Sequence, residues 1–457
     1  MTQPRLLGWF GIVRLGLVQT ALGAIVVLTT STLNRIMVVE LALPAMLPGF
    51  LVALHYAVQM SRPRMGYGSD RGGRGTPWII GGMAVLALGG VGAAGATALM
   101  GTNHAAGVAA AVLAFVLIGA GVGAAGTNLL VILAKQVAPE RRAPAASIVW
   151  IMMIAGFAVT ASTAGQFLDP YSPARLVAVS GTISAIAFVL TLICVWGVEG
   201  EGDTRARAGD AGSAGADGEK GSHPPFRTAF KQVMAEPQAR RFTLFVFVAM
   251  LSYNLQDLIL EPFAGTVFGM TPGESTSLSG MQHSGVLIGM LLVAFAGNKL
   301  RGRAGSLRAW TIGGCLASAL ALFGLVVGGQ VVEGYPLTAN VMFLGAANGA
   351  FAVAAIGSMM SLAGQGRQQR EGVRMGLWGA AQAIAFGLGS FLGTAAIDVT
   401  RSMVDAPALA YGIVFAVEAS LFVVAAVLAA RVDKSAATAR PVELSGAAEG
   451  YATGVGS

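Results

Sequence analysis

Charge is scarce in this chain. Asp, Glu, Lys and Arg make up 11% of 457 residues, while 55% are hydrophobic, and the mean hydropathy is +0.70. A soluble domain carries about a quarter charged residues, so this polar surface is too small to cover a water-soluble fold. Cysteine is nearly absent. Cys194 and Cys315 lie far apart inside apolar runs, which argues against a disulfide framework or a thiolate metal cage and for two small buried hydrophobes. Short alternating strands are missing, and with them the signature of a membrane β-barrel. No Ser/His/Asp set, phosphate loop or metal cluster stands out. The G-x-G matches fall inside apolar runs, where they mean helix packing, so an enzyme is the least supported class. The first apolar stretch is too long for a signal peptide and lacks an A-x-A-like exit, so no cleavable leader is expected.

What remains is length and grease. A spanning helix needs about 20 mostly apolar residues. That ruler yields about twelve spans, at roughly 11–33, 43–61, 77–99, 107–134, 146–168 and 174–198, then roughly 242–262, 276–297, 308–328, 338–362, 373–397 and 407–430. The expected class is an all-α polytopic membrane protein. Its expected parts are roughly 1–198 as an N-terminal six-helix bundle, 199–241 as a cytoplasmic linker, 242–430 as a C-terminal six-helix bundle and 431–457 as a disordered tail. Within the linker, Phe226, Phe230, Val233 and Met234 recur at helical spacing opposite Arg227 and Lys231, which predicts a short interfacial helix.

The basic residues fall on one side of this alternation. Arg62, Arg64, Arg71, Arg74, Lys135, Arg141, the linker, Lys299, Arg301, Arg367 and the termini share a face, against Arg35, Arg175 and Arg401 on the other. The positive-inside rule then places both termini in the cytoplasm. The net charge of +7 is therefore topological. It faces lipid headgroups and does not argue for nucleic acid.

Ionisable residues inside a membrane are costly, so each is a functional candidate. The first half offers no mid-membrane carboxylate, and span four carries no charge before Lys135. A proton relay for a polar solute lacks obvious parts there. The second half places Gln256, Asp257 and Glu261 in span seven and Glu418 in span twelve, and His55 and His283 fall in spans two and eight. Asp257 and Glu261 are four apart and so share one face of a continuous helix. The two histidines have no local partners at metal-ligand spacing. A macrocycle that already holds its metal on four sides makes a smaller demand: one axial donor and a wide apolar surface. His55, Gln256, Glu261, His283 and Glu418 are the candidate donors. The plain alternative for each is an interhelical hydrogen bond. Small-residue faces such as GAGVGAAG in span four and GLGSFLG in span eleven could receive single-span helices of a partner or pack within the bundle.

The stretch GYGSDRGGRG between spans two and three resembles the signature loop of the major facilitator superfamily. The matching residues are Gly66, Asp70, Arg71, Gly73 and Arg74, with Gly75 in place of the usual last basic residue. The equivalent loop of the second half, GNKLRGRAG, keeps Gly297 and its basic residues but has no Asp. The resemblance implies a major facilitator fold, two pseudo-symmetric six-helix bundles around a midplane cleft. Ser31 to Met60 and Leu260 to Met270 narrow it further: they are similar to the PucC/LhaA family, the bacteriochlorophyll delivery branch of that superfamily. Asn34, Arg35, Glu40, Glu261, Pro262 and Gly265 match its pattern. That resemblance implies a light-harvesting complex assembly factor in the inner (intracytoplasmic) membrane of a phototrophic bacterium. It would bind bacteriochlorophyll as cargo, with a carotenoid as a further candidate. Its implied partners are antenna polypeptides, bacteriochlorophyll synthase or other late pigment-synthesis enzymes, and membrane lipids. The rival expectation is a secondary transporter of an amphiphilic or porphyrin-like solute.

Overall fold

In a computed structural model, which describes residues 6–62, 65, 74–138, 141–199, 237–299, 306–364 and 371–431, the apolar runs become twelve helices and no strand occurs among the described residues. They are α1 (Trp9–Glu40), α2 (Met46–Gln59), α3 (Thr76–Met100), α4 (His104–Gln136), α5 (Arg142–Leu168) and α6 (Pro173–Val195). The second set is α7 (Pro237–Asp257, resuming as Leu260–Phe268), α8 (Pro272–Lys299), α9 (Leu307–Val331), α10 (Leu337–Gly364), α11 (Glu371–Met403) and α12 (Pro407–Arg431). Eleven are long and apolar enough to cross a membrane, and α2, at 14 residues, is shorter.

Two helices depart from the hydropathy ruler. α1 continues to Glu40 rather than ending near residue 33, through two π-helical segments, Leu28–Thr32 and Ile36–Glu40. The Thr29 and Thr30 hydroxyls both donate to the Val26 carbonyl, at 2.7 and 3.2 Å. Such back-bonding competes with the main-chain ladder and loosens it. Arg35, expected in a solvated loop, is instead a helical residue only 2% exposed. α7 breaks at Leu258 and Ile259, so Asp257 and Glu261 do not share one continuous helical face as their spacing suggested. Pro262 supplies the reason. It has no N–H to donate to the carbonyl four residues back, and that residue is Leu258.

Two large hydrophobic cores form among the described residues, with three small clusters beside them. One is built almost wholly from α1 to α6, around Ile12, Leu51, Met83, Phe115 and Leu176. The other gathers Phe245, Phe263, Leu322, Phe351, Phe415 and Phe422 from the second set. The sets meet along a seam where α1 lies against α7 and α8, α5 against α8, and α2 against α11. The small-residue faces of α4 and α11 are consumed inside the bundle. Gly119 packs on the His55 carbonyl, Gly121 on Leu86 and Gly82, and Gly393 on Leu255. The start of α1 lies beside the end of α6. There Arg14 donates to the Ile193 and Trp196 carbonyls at the end of α6. The Glu199 carboxylate accepts from the Gly75 and Thr76 amides at the start of α3, at 3.0 and 2.8 Å. A carboxylate at a helix N-terminus is favoured by both its free N–H groups and its dipole.

Candidate functional site

The polar residues of these greasy helices collect on the seam. At its centre, Ser31 of α1 donates to Glu261 Oε1 of α7 and meets Ser279 Oγ of α8 at 2.9 Å. One turn along, Thr32 Oγ1 and Thr276 Oγ1 lie 3.0 Å apart. Asn34 Nδ2 donates to the Leu258 carbonyl, the one that Pro262 leaves free. Arg35 spreads its guanidinium between Glu40 and the Met270 carbonyl. It lies over Gly265, where a Cβ would meet its Nη2 at 3.0 Å and its Nε at 3.1 Å. Glycine is the residue that admits that approach. Tyr171, in the loop after α5, borders the same ion pair: burial pushes its phenol above the ordinary range, Glu40 adds to the rise and Arg35 opposes it. Four of the residues that carry the family pattern, Asn34, Arg35, Glu261 and Gly265, thus form one clasp between the halves, with Glu40 and Pro262 completing its chemistry.

His283 joins this network from below. Its Nδ1 lies 2.8 Å from the Ser279 carbonyl, and Phe157 of α5 presents an edge to its ring at 5.1 Å. A carbonyl only accepts, so Nδ1 carries a proton, and in the neutral form of the ring the lone pair lies on Nε2. His55 repeats the arrangement on α2, with Nδ1 at 3.0 Å from the Val52 carbonyl. Neither Nε2 has a hydrogen-bond partner among the described residues. His55 stands apart from the clasp, at the head of a run of aromatic rings. Tyr56 lies at 4.3 Å from its ring, Phe386 at 5.8 Å from Tyr56, and Tyr253 at 6.4 Å from Phe386. His55 thus lies in one aromatic run, and His283 rests against Phe157 in a separate contact.

Gln256 and Glu418 form a separate pair in the second core. Neither the Gln256 amide nor the Glu418 carboxylate makes a side-chain hydrogen bond among the described residues, and the Gln256 main chain lies alongside Glu418. Glu418 is wholly buried among Phe415, Phe422 and their neighbours. An unpaired polar group in such a place is costly, which marks both residues as more than filler. Of the five donors named from sequence, Glu261 and His283 come together, Gln256 and Glu418 come together, and His55 lies across the seam. Of the signature-loop residues, Arg74 is exposed, while Gly66, Asp70, Arg71 and Gly73 lie outside the described residues, as does most of the expected interfacial helix. Sequence reasoning missed Ser31, Thr32, Thr276 and Ser279. A hydroxyl on an apolar helix carries little signal, because it can always bond its own backbone.

The sequence profile described as "PUCC protein" matches residues 32–437. A Rhodobacter capsulatus protein named bacteriochlorophyll synthase 44.5 kDa chain is 52% identical over 434 residues, covering 95% of this chain and 98% of the relative. The protein named PucC of Cereibacter sphaeroides is 27% identical over 451 residues, covering 94% and 93%. Among solved structures, a D-xylose-proton symporter superposes with a TM-score of 0.67 at 16% identity, over 93% of this chain and 98% of that one. The nucleoside transporter NupG gives 0.62 at 13% identity, over 93% and 99%. At such identities the likeness is one of fold, and the fold is that of the major facilitators.

Proposed function

The chain belongs to the PUCC protein family, and from that we propose that it is a light-harvesting complex assembly factor that binds bacteriochlorophyll and delivers it to antenna polypeptides. The observation that carries the reading is the pair of buried imidazoles, His55 and His283. Each is held by a backbone carbonyl in the tautomer that leaves the Nε2 lone pair free, and each lies against an aromatic ring, Tyr56 for His55 and Phe157 for His283. The magnesium of the cargo needs one axial ligand, and Nε2 of His283 is our first choice. His55, Gln256, Glu261 and Glu418 are the further candidates. Phe157, Tyr56, Tyr253 and Phe386 offer the apolar faces that a macrocycle packs against. A carotenoid would use the same apolar surface.

The relative named as a synthase chain supports a pigment role, and the transporter fold supports one without catalysis. We place the protein in the bacterial inner membrane with both termini cytoplasmic, following the charge bias. Antenna polypeptides and a late enzyme such as bacteriochlorophyll synthase are the expected partners, together with lipid. Affinity isolation in mild detergent from a pigment-making cell tests this. Antenna polypeptides and bacteriochlorophyll are expected to co-isolate. Recovery of neither overturns the proposal. The discontinuous α7, with a carboxylate on either side of its break, favours a second reading, alternating-access transport of an amphiphilic solute. A preparation free of pigment that accumulates such a solute in vesicles would favour it.

A further inference from the structure

Two carboxylates cross the seam at the face where α5 and α11 end, and they do so in the same way. Asp169, at the end of α5, accepts from the Gly273 amide at 3.1 Å and from the Thr271 hydroxyl, both at the start of α8. Asp398, near the end of α11, accepts from the Ala45 and Met46 amides at 2.9 and 2.7 Å, at the start of α2. α5 is the fifth helix of the first set and α11 the fifth of the second. α2 and α8 are the second helices. Each half therefore reaches across with its fifth helix and caps the second helix of the other.

The supporting contacts repeat as well. The residue four before each Asp packs on the capped helix: Gly165 against the Gly273 carbonyl and Ser277, and Thr394 against Gly49. At Gly273 a Cβ would meet both Asp169 Oδ2 and the Gly165 carbonyl at 2.4 Å, so that approach requires glycine. Thr271 is at once donor to Asp169 and acceptor from the Glu274 amide at 3.2 Å, and its own amide donates to Glu274 at 2.9 Å. The capping box of α8 is thereby wired to the other half.

We propose that Asp169 and Asp398 form a two-point latch that holds the halves shut at this face, so that releasing either cap loosens the other. A carboxylate on the free amides of a helix start makes charge-assisted bonds favoured by the dipole. Both bonds join the same two bodies, and a rigid-body opening must break both. The latch differs from two independent caps in one respect: the effect of each on the other is reciprocal.

Amide hydrogen exchange distinguishes these cases. Asp398→Asn presents an amide N–H to the donors of α2. It is expected to speed exchange about tenfold at 45–47 and also, about 1.4 kcal/mol away in the same opening equilibrium, at 271–275 on the far cap. Asp169→Asn is expected to do the reverse by the same factor. Acceleration confined to the helix whose own cap was changed overturns the latch. Amides in the middle of α4 report the intact fold. If a substitution abolishes their protection, the Glu variants, which keep the charge and displace it by one methylene, are read in the same way.

Discussion

At the scale of the residue, Arg35 shows how a charge becomes affordable inside this protein. Its guanidinium has two partners on different elements, a carboxylate on its own helix and a carbonyl beyond α7. A planar fork can serve both, whereas an ammonium is a point charge on a flexible stem. Arg35→Lys is therefore expected to lose one of the two bonds and to cost about 1–3 kcal/mol. Thermal unfolding in detergent should show this as a lowered midpoint. An unchanged midpoint would mean that the clasp does not hold the halves. Arg35 was visible in the sequence as a charge among apolar residues, but its burial was not. Asn34, Arg35 and Glu40 read as an exit from the membrane, because composition cannot show that a partner waits across the seam. Ser31 and Ser279 were silent for the opposite reason: they look like ordinary small residues.

At the scale of the element, the break in α7 has a local cause and a distant remedy. Pro262 deprives the Leu258 carbonyl of its helical donor, and Asn34 provides another from the opposite half. Asn34→Ala leaves that carbonyl unpaired, at an expected cost of about 1–3 kcal/mol. Asn34→Asp sets an acceptor against an acceptor and should cost more. Paired unfolding midpoints for the two variants check the order, and Asp equal to or better than Ala would contradict it. From sequence, span seven reads as one continuous helix, and the break at Leu258 and Ile259 was not legible. The same limit applies to α1, whose length hydropathy underestimates because π-helical turns and cross-seam bonds carry it past polar residues.

At the scale of the whole molecule, hydropathy found nine of the helices to within about four residues at each end, because a spanning segment needs about 20 mostly apolar residues; α11, like α1 and α7, runs on past its expected end, to Met403. The two bundles were implied by the resemblance, but the pairing of helices across the seam was not read from the sequence. The geometry of the candidate donors was not legible either: nothing in the sequence says that His55 and His283 both bond their own helix through Nδ1. The most direct test of that arrangement is a far-red absorption spectrum of the purified chain from a pigment-making cell, beside His283→Leu. The account predicts a bound bacteriochlorophyll band in the parent chain that is weakened or displaced in the variant. A parent chain that carries no pigment in any of several mild detergents would contradict it.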